Sequence, residues 1–440
     1  MKILILSVIL LLSYNVSAKN YYVNAKNGNK RNNGLSVSKA KSIIQDAANL
    51  TRPGDTVFVM NGTYTNTCAN CSVVDIPNSG NKRKYIVYTN YKNHQPKVSF
   101  NGWGGFTVAN GVSYVKIIGF EVIGNNKNVL LKDALKQPMS CLNPTGDYDP
   151  KYNGNGISID GRSGKHPHHI VVAKNVVRDC GGGGIGANQV DYIIIEDNIV
   201  YNNAWYNVFG NSGISFYQFK NYDDAKGYHN VIRRNKCYNN KNLVPWAKYC
   251  RIADGNGIII DDFRNQQNSS QLGVYTGKTL IENNICWFNG GTGIHVFQSD
   301  EVDIFNNTAY CNSQSIELNS GQIHASVSNK VRIINNILVS DSSNLINSNF
   351  QKTYHTYLNN LHYNITKPGN MDAIINNVSC ISGISPVFIL PVNDLNANLM
   401  LHESSPAIGR GLLGINSRDD FNQHVRPIHK PATLGAYEMQ

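Results

Sequence analysis

The side chains with the means to make a reaction centre gather at residues 254–265, Asp254-Gly-Asn-Gly-Ile-Ile-Ile-Asp-Asp-Phe-Arg-Asn265. Carboxylates are hard oxygen donors, so Asp254, Asp261 and Asp262 suit a Ca²⁺ ion. Arg264 carries a guanidinium whose fork matches a carboxylate. Tyr217 and His295 sit in segments of the same pattern and are candidates to take or deliver a proton. Such a set can remove a weakly acidic proton beside a carboxyl group and neutralise the charge that develops. That is β-elimination on a uronate. Asp261 paired with Asp262 or Asp254 could instead flank a glycosidic bond and hydrolyse it. In a third reading the acids are structural, and the aromatics hold a glycan without reaction.

Each residue also has a plain structural reading. An Asp pair at a strand end caps a turn through side chain to backbone bonds. Arg264 in a loop can be a solvated charge, and His295 can be merely exposed. Asp160 and Arg162 read as a second subsite or a turn. Asn188, Gln218 and Gln298 join them as candidate substrate contacts. Trp246 and Tyr275 are candidate sugar-stacking rings, as are Trp205, Tyr206, Tyr222 and Tyr249. His166, His168 and His169 resemble a metal tract in composition only, and no site is assigned to them.

What positions these residues is a repeat. The frame Gly-Ile-x-x-x recurs at Gly156, Gly184, Gly213, Gly257 and Gly293. Period-two alternation turns Ile157/Ile159, Ile185/Ala187, Ile214/Phe216, Ile258/Ile260 and Ile294/Val296 inward. Ser158/Asp160, Gly186/Asn188, Ser215/Tyr217, Ile259/Asp261 and His295/Phe297 then face solvent. Coils stacked ~4.8 Å apart would set Tyr217, Asp261 and His295 side by side. An Asn followed by alternating apolar residues recurs at Asn175, Asn198, Asn235, Asn284, Asn307, Asn336 and Asn360. The shortest spacing is that of a β-helix coil, and the longer ones carry inserted loops. Stacked Asn side chains can hydrogen-bond as a ladder along the axis. The insertions at 218–229, 238–253 and 263–277 would wall a groove, and 124–153 would close one end of it.

The chain has 440 residues and a formal charge of +11. Its positive charge favours an acidic partner, an acidic polysaccharide above all, over a neutral one. The run Lys82-Arg83-Lys84 is too short for a nucleic-acid arm, so no nucleic acid is expected. Residues 1–18 have the charged start, apolar block and small-residue end of a secretory signal peptide cleaved near Ala18. No membrane span follows, which points to a secreted or periplasmic protein; a monomer is expected. Of nine cysteines, Cys68 and Cys71 are spaced to close a disulfide, and the rest read as packing residues, with Cys237 and Cys286 in one inward slot.

Near the start, Tyr21-Tyr-Val-Asn24 reads as a strand and Ala40–Leu50 as an amphipathic helix. Pro53-Gly-Asp-Thr-Val57 and Asn61-Gly-Thr-Tyr64 follow, then Tyr85-Ile-Val-Tyr88. With Ser405-Pro-Ala-Ile408, Asp419-Asp-Phe421, Arg426-Pro427 and Gly435-Ala-Tyr-Glu438, this order resembles the secreted right-handed parallel β-helix proteins of the pectate-lyase-like, polysaccharide-lyase superfamily. The resemblance implies an all-β solenoid with an N-terminal capping helix: 19–110 cap and first coils, 111–380 the β-helix with groove-forming loops, 381–440 a closing segment. It also implies calcium-dependent elimination, although the multi-Asp cluster with a well-placed Lys of the pectate lyases is not found in this sequence.

Overall fold

In the computed structural model, the described residues are 17–318, 321–341, 346, 355–368, 379–392, 396–415 and 417–439. All of the expected leader except its last two positions lies outside them. The chain winds through three long parallel sheets, of eleven, eight and eleven strands, with a separate antiparallel pair near the C-terminus. This is a parallel β-helix. A full coil contributes one strand to each sheet, and the terminal coils contribute to the two longer sheets only, so residues distant in sequence become neighbours across one strand spacing.

The eight-stranded sheet forms the face that concerns function. In chain order and in spatial order its strands are β1 (Ser72–Ile76), β2 (Gly104–Ala109), β3 (Asn155–Asp160), β4 (Ile185–Asn188), β5 (Ile214–Tyr217), β6 (Ile258–Asp261), β7 (Ile294–Phe297) and β8 (Ile323–Ser326). The expected inward residues, from Ile157 to Val296, are all fully buried in one core that runs the length of the coils. Stacking identical apolar positions lets each coil bury its face on the next, so the core needs no central bulk.

Asn side chains lock that stacking. Asn175, Asn198, Asn235, Asn284, Asn307, Asn336 and Asn360 form a continuous ladder, each Nδ2 donating to the next Oδ1 at 3.0–3.1 Å. A second ladder, which the sequence reading missed, runs Asn203, Asn240, Asn289, Asn312 and Gln322. Its signature was present: an Asn five residues after the first in four coils. Cys237 and Cys286 stack in a fully buried slot between Val200 and Ala309, as expected.

Two expectations need correction. The helix over 40–50 is only α1 (Ile44–Ala48), because Lys41 bridges to Val23 and Ile43 stays extended. The cysteines outside the Cys68–Cys71 pair are not all packing residues. Cys141 and Cys250 form a second disulfide, linking two loops 109 residues apart in sequence.

Asn235 lies mid-ladder, donating to Asn284 and accepting from Asn198. Asn235→Leu leaves buried partners unsatisfied, a cost of roughly 1–3 kcal/mol. Urea denaturation should show that loss, whereas Lys174→Gln, at an exposed position beside ladder residue Asn175, should leave the midpoint nearly unchanged.

Candidate functional site

Two columns of side chains stand on the outer face of the eight-stranded sheet. One runs Thr107, Ser158, Gly186, Ser215, Ile259, His295 and His324, and the other Ala109, Asp160, Asn188, Tyr217, Asp261, Phe297 and Ser326. Tyr217 and Asp261 are therefore direct neighbours, as expected. His295 is not in their column. It pairs with Ile259, and its ring stacks on His324 at 4.2 Å. Reading both outward positions as a single row caused that error.

Over coils β2 to β6 lies a cleft of about 730 Å³. Its floor includes Ser158, Gly186, Ser215 and Ile259. Asn188, Tyr217 and Asp261 form one edge, and Arg162, Trp246 and Asp254 also line it. The inserted loops are its walls: Tyr148 and Asn153 from 124–153, Trp246 and Lys248 from 238–253, Gln267 and Asn268 from 263–277. These walls have support of their own. Val129, Ala134, Tyr152, Tyr206, Val208 and Val244 make a separate small apolar core. The Cys141–Cys250 disulfide ties two of the loops covalently, and Gln137 bonds to Asn153 and to the Tyr206 carbonyl.

The acids divide by position. Asp261 faces the cleft and accepts from Gln267 Nε2 at 2.7 Å. Burial pushes its carboxyl well above the usual range, and the nearby carboxylates of Asp254 and Asp262 push it further against that hydrogen bond. Asp254 also opens on the cleft, and burial raises it to about 7 against one bond from Asn256 at 3.1 Å. Gly210 beside it has φ +71°, and a Cβ there would come within 2.8 Å of Asp254 Oδ2. The close approach and the left-handed backbone both call for glycine.

Asp262 is different. It is fully buried with φ 51°, and its oxygens accept from Gln218 Nε2 and from the amides of Gln266 and Gln267, each at 2.8 Å. Its carboxylate anchors the 263–277 loop instead of facing the cleft, as a turn cap does. Gln218, expected at the surface, is buried as its donor. Tyr275 is also buried, between Phe219 and Phe263, with its hydroxyl donating to Asp191 at 2.6 Å, so it offers no stacking face. Arg264 forms a two-pronged ion pair with Asp300. Gln298 accepts from Gln267 and, like Arg264 and His295, does not line the cleft. Burial lowers the His295 imidazole to about 4, so it is neutral.

Arg162 reaches the cleft while its guanidinium grips Asp160 at 2.7 Å. Burial raises the Asp160 carboxyl, but Arg162's bonds and charge outweigh this and hold it below its ordinary value. Burial first, then the charges of Asp261 and Asp262, push the Tyr217 hydroxyl up, and Asn268 donates to it at 2.7 Å. Lys248, Gln267 and Asn268 were missed as site residues. They lie in irregular loops, where no periodicity shows which way a side chain points.

Of the three acids expected to hold Ca²⁺, Asp254 and Asp261 offer carboxylates to the cleft. Asp262 gives its oxygens to Gln218 and the amides of Gln266 and Gln267, so the expected three-acid set is not assembled. Among the described residues no three His, Cys, Asp or Glu side chains are grouped to hold a metal.

No protein-family model and no curated protein sequence matches the chain. Solved structures do. The fold is similar to that of pectate lyase Pel9A, with TM-score 0.52 and 16% identity over 97% of this chain and 98% of that one. It is also similar to XylC, solved with xylose, at TM-score 0.46 and 12% identity over 78% and 69% of the two chains. A rhamnogalacturonan lyase matches at TM-score 0.39 and 17% identity over 79% and 69%. The first of these likenesses establishes the parallel β-helix fold and leaves the chemistry to the residues in the cleft.

Ionising Asp254 should cost stability, because burial favours its protonated form. The Asp254 carboxyl is raised from an unfolded value of about 4 to about 7, so the folded state binds the extra proton. That contribution is present at low pH and is lost as pH rises through about 7. Asp254→Asn should therefore flatten the fall in melting temperature between about pH 4 and 7 that the unaltered protein shows. Asp262→Ala should lower the melting temperature at pH 7 and expose the 263–277 loop to protease.

Proposed function

We propose that this protein is an exported carbohydrate-active enzyme that cleaves a glycosidic bond within the cleft, with Asp254 and Asp261 sharing the proton chemistry. The observation that carries this reading is the carboxyl pair itself: two acids in one cleft, both raised by burial, with Asp254 adding to the rise of Asp261. Two carboxyls that interact through charge lose their protons in separate steps, and between those steps one is protonated and the other ionised. The protonated partner gives its proton to the glycosidic oxygen as that bond breaks. The ionised partner stabilises the positive charge developing on the sugar or activates the water whose hydroxyl ends on the anomeric carbon. Gln267 and Asn256 hold the two acids, while Gly210 leaves room beside Asp254.

The elimination reading keeps one support. Arg162 and Lys248 both face the cleft and would favour a glycan bearing a carboxylate. Its base is poorly supplied, because the Tyr217 hydroxyl is pushed up and His295 stands off the cleft. Export is supported by the Cys141–Cys250 bridge, since such bonds persist in oxidising compartments, and by the leader-like start of the sequence. Among the described residues no helix is long and apolar enough to cross a membrane.

Incubation with pectate, alginate, chondroitin sulfate and xylan separates the readings. New reducing ends without the ultraviolet absorbance of an unsaturated uronate are the expected result, and that absorbance would replace hydrolysis by elimination. Asp254→Asn and Asp261→Asn should each lower kcat by at least roughly 10²-fold, with melting temperature at pH 7 held or raised. Prolonged treatment with a calcium chelator should leave the rate unchanged, and a loss restored by added Ca²⁺ would return a metal to the site.

A further inference from the structure

The floor of the cleft has one bare step. Gly186 stands in the outward column of β4, flanked by Ser158 on β3 and Ser215 on β5. It lies inside a regular strand without a left-handed φ, so its backbone does not call for glycine. Steric crowding does not call for it either, because a Cβ built there meets nothing within 4 Å. Most other strand glycines on this sheet are explained by crowding: a Cβ at Gly104, Gly105 or Gly156 would approach backbone oxygens at 3.0, 2.8 and 2.6 Å. Glycine weakens a strand interior, and where no local contact requires it, it marks close approach of a ligand or another chain. Here the space above it belongs to the cleft onto which Asp254 and Asp261 open.

We propose that Gly186 is the floor of a saccharide-binding position, kept free of a side chain so that a pyranose ring lies flat on the sheet two coils from the carboxyl pair. The distance follows from the register. Gly186 on β4 pairs with Ser215 on β5, which pairs with Ile259 on β6, the strand that carries Asp261. Two strand spacings are about 10 Å, which places the ring beside the sugar undergoing cleavage and not on it. The Ser158 and Ser215 hydroxyls and the Asn188 amide border the bare step and supply donors and acceptors for ring hydroxyls. The proposal rests on the reading of the cleft as a glycan site, and it adds where a second sugar binds and which residue sets the available depth.

The test uses Asp254→Asn protein, so that binding is read without turnover, in native gels cast with pectate, alginate, chondroitin sulfate or xylan. Asp254→Asn should be retarded by at least one of these polymers. Adding Gly186→Phe should abolish the retardation at an unchanged melting temperature, because the new ring enters open space. Gly186→Ala should melt at or above the temperature of the parent, since a strand interior is weakened by glycine. Equal retardation of Asp254→Asn with and without Gly186→Phe overturns the floor and leaves the cleft reading standing. No retardation of Asp254→Asn by any of the four polymers overturns the cleft reading and the floor with it. A lowered melting temperature in Gly186→Ala overturns the proposal separately, since it would mean that packing requires the glycine.

Discussion

The position of every side chain on the floor of the cleft depends on the spacing of parallel strands, about 4.8 Å per coil. Backbone pairing sets that step, and the two Asn ladders fix its register at the bends. A slip of one residue in any coil would turn its apolar side chains outward and its polar ones into the core. The cost of that exchange makes the register firm, so the outer face can carry groups that stabilise nothing. Asp261, Tyr217, Asn188 and Asp160 stand in one column because Ile260, Phe216, Ala187 and Ile159 are buried beneath them.

Stability and chemistry are thereby divided between the two sides of the same strands. On β6, Ile258 and Ile260 belong to the long core, while Asp261 stands in a cleft where burial raises its carboxyl. One residue further on, Asp262 returns to structural work and its charge is spent on three hydrogen bonds. Adjacent carboxylates thus differ in kind. Asp262 is satisfied and anchors a loop, whereas Asp261 faces the cleft with a hydrogen bond from Gln267. The walls need their own means of support, because loops outside the coil repeat gain nothing from stacking, and a small apolar core and a disulfide provide it.

The architecture was legible in the sequence because it is periodic. The seven ladder asparagines and the inward slots of the Gly-Ile strands follow from alternation and coil length alone. The site was legible only as far as that periodicity reaches. Asp254, Asp261, Tyr217, Arg162, Asn188 and Trp246 do line the cleft. Gln218, Asp262 and Gln298 follow the strand, where the chain turns with left-handed φ and alternation no longer tells which way a side chain points. Tyr275 and Arg264 lie in a loop whose partners, Asp191 and Asp300, come from other coils and leave no local trace. The Cys141–Cys250 bridge spans 109 residues for the same reason.

Asp261 is held in the cleft by strand register and Asp254 by the loop that leads into the same strand, and the proposed function needs a proton on one of the two at neutral pH. Infrared titration tests it most directly, by following the C=O stretch of protonated carboxyl groups as pH rises. A band that persists to about pH 7 is the expected result, and it should be lost or displaced in both Asp254→Asn and Asp261→Asn. Complete loss of the band below about pH 5 in the unaltered protein would show two ordinary carboxylates and contradict the proton chemistry proposed for the cleft.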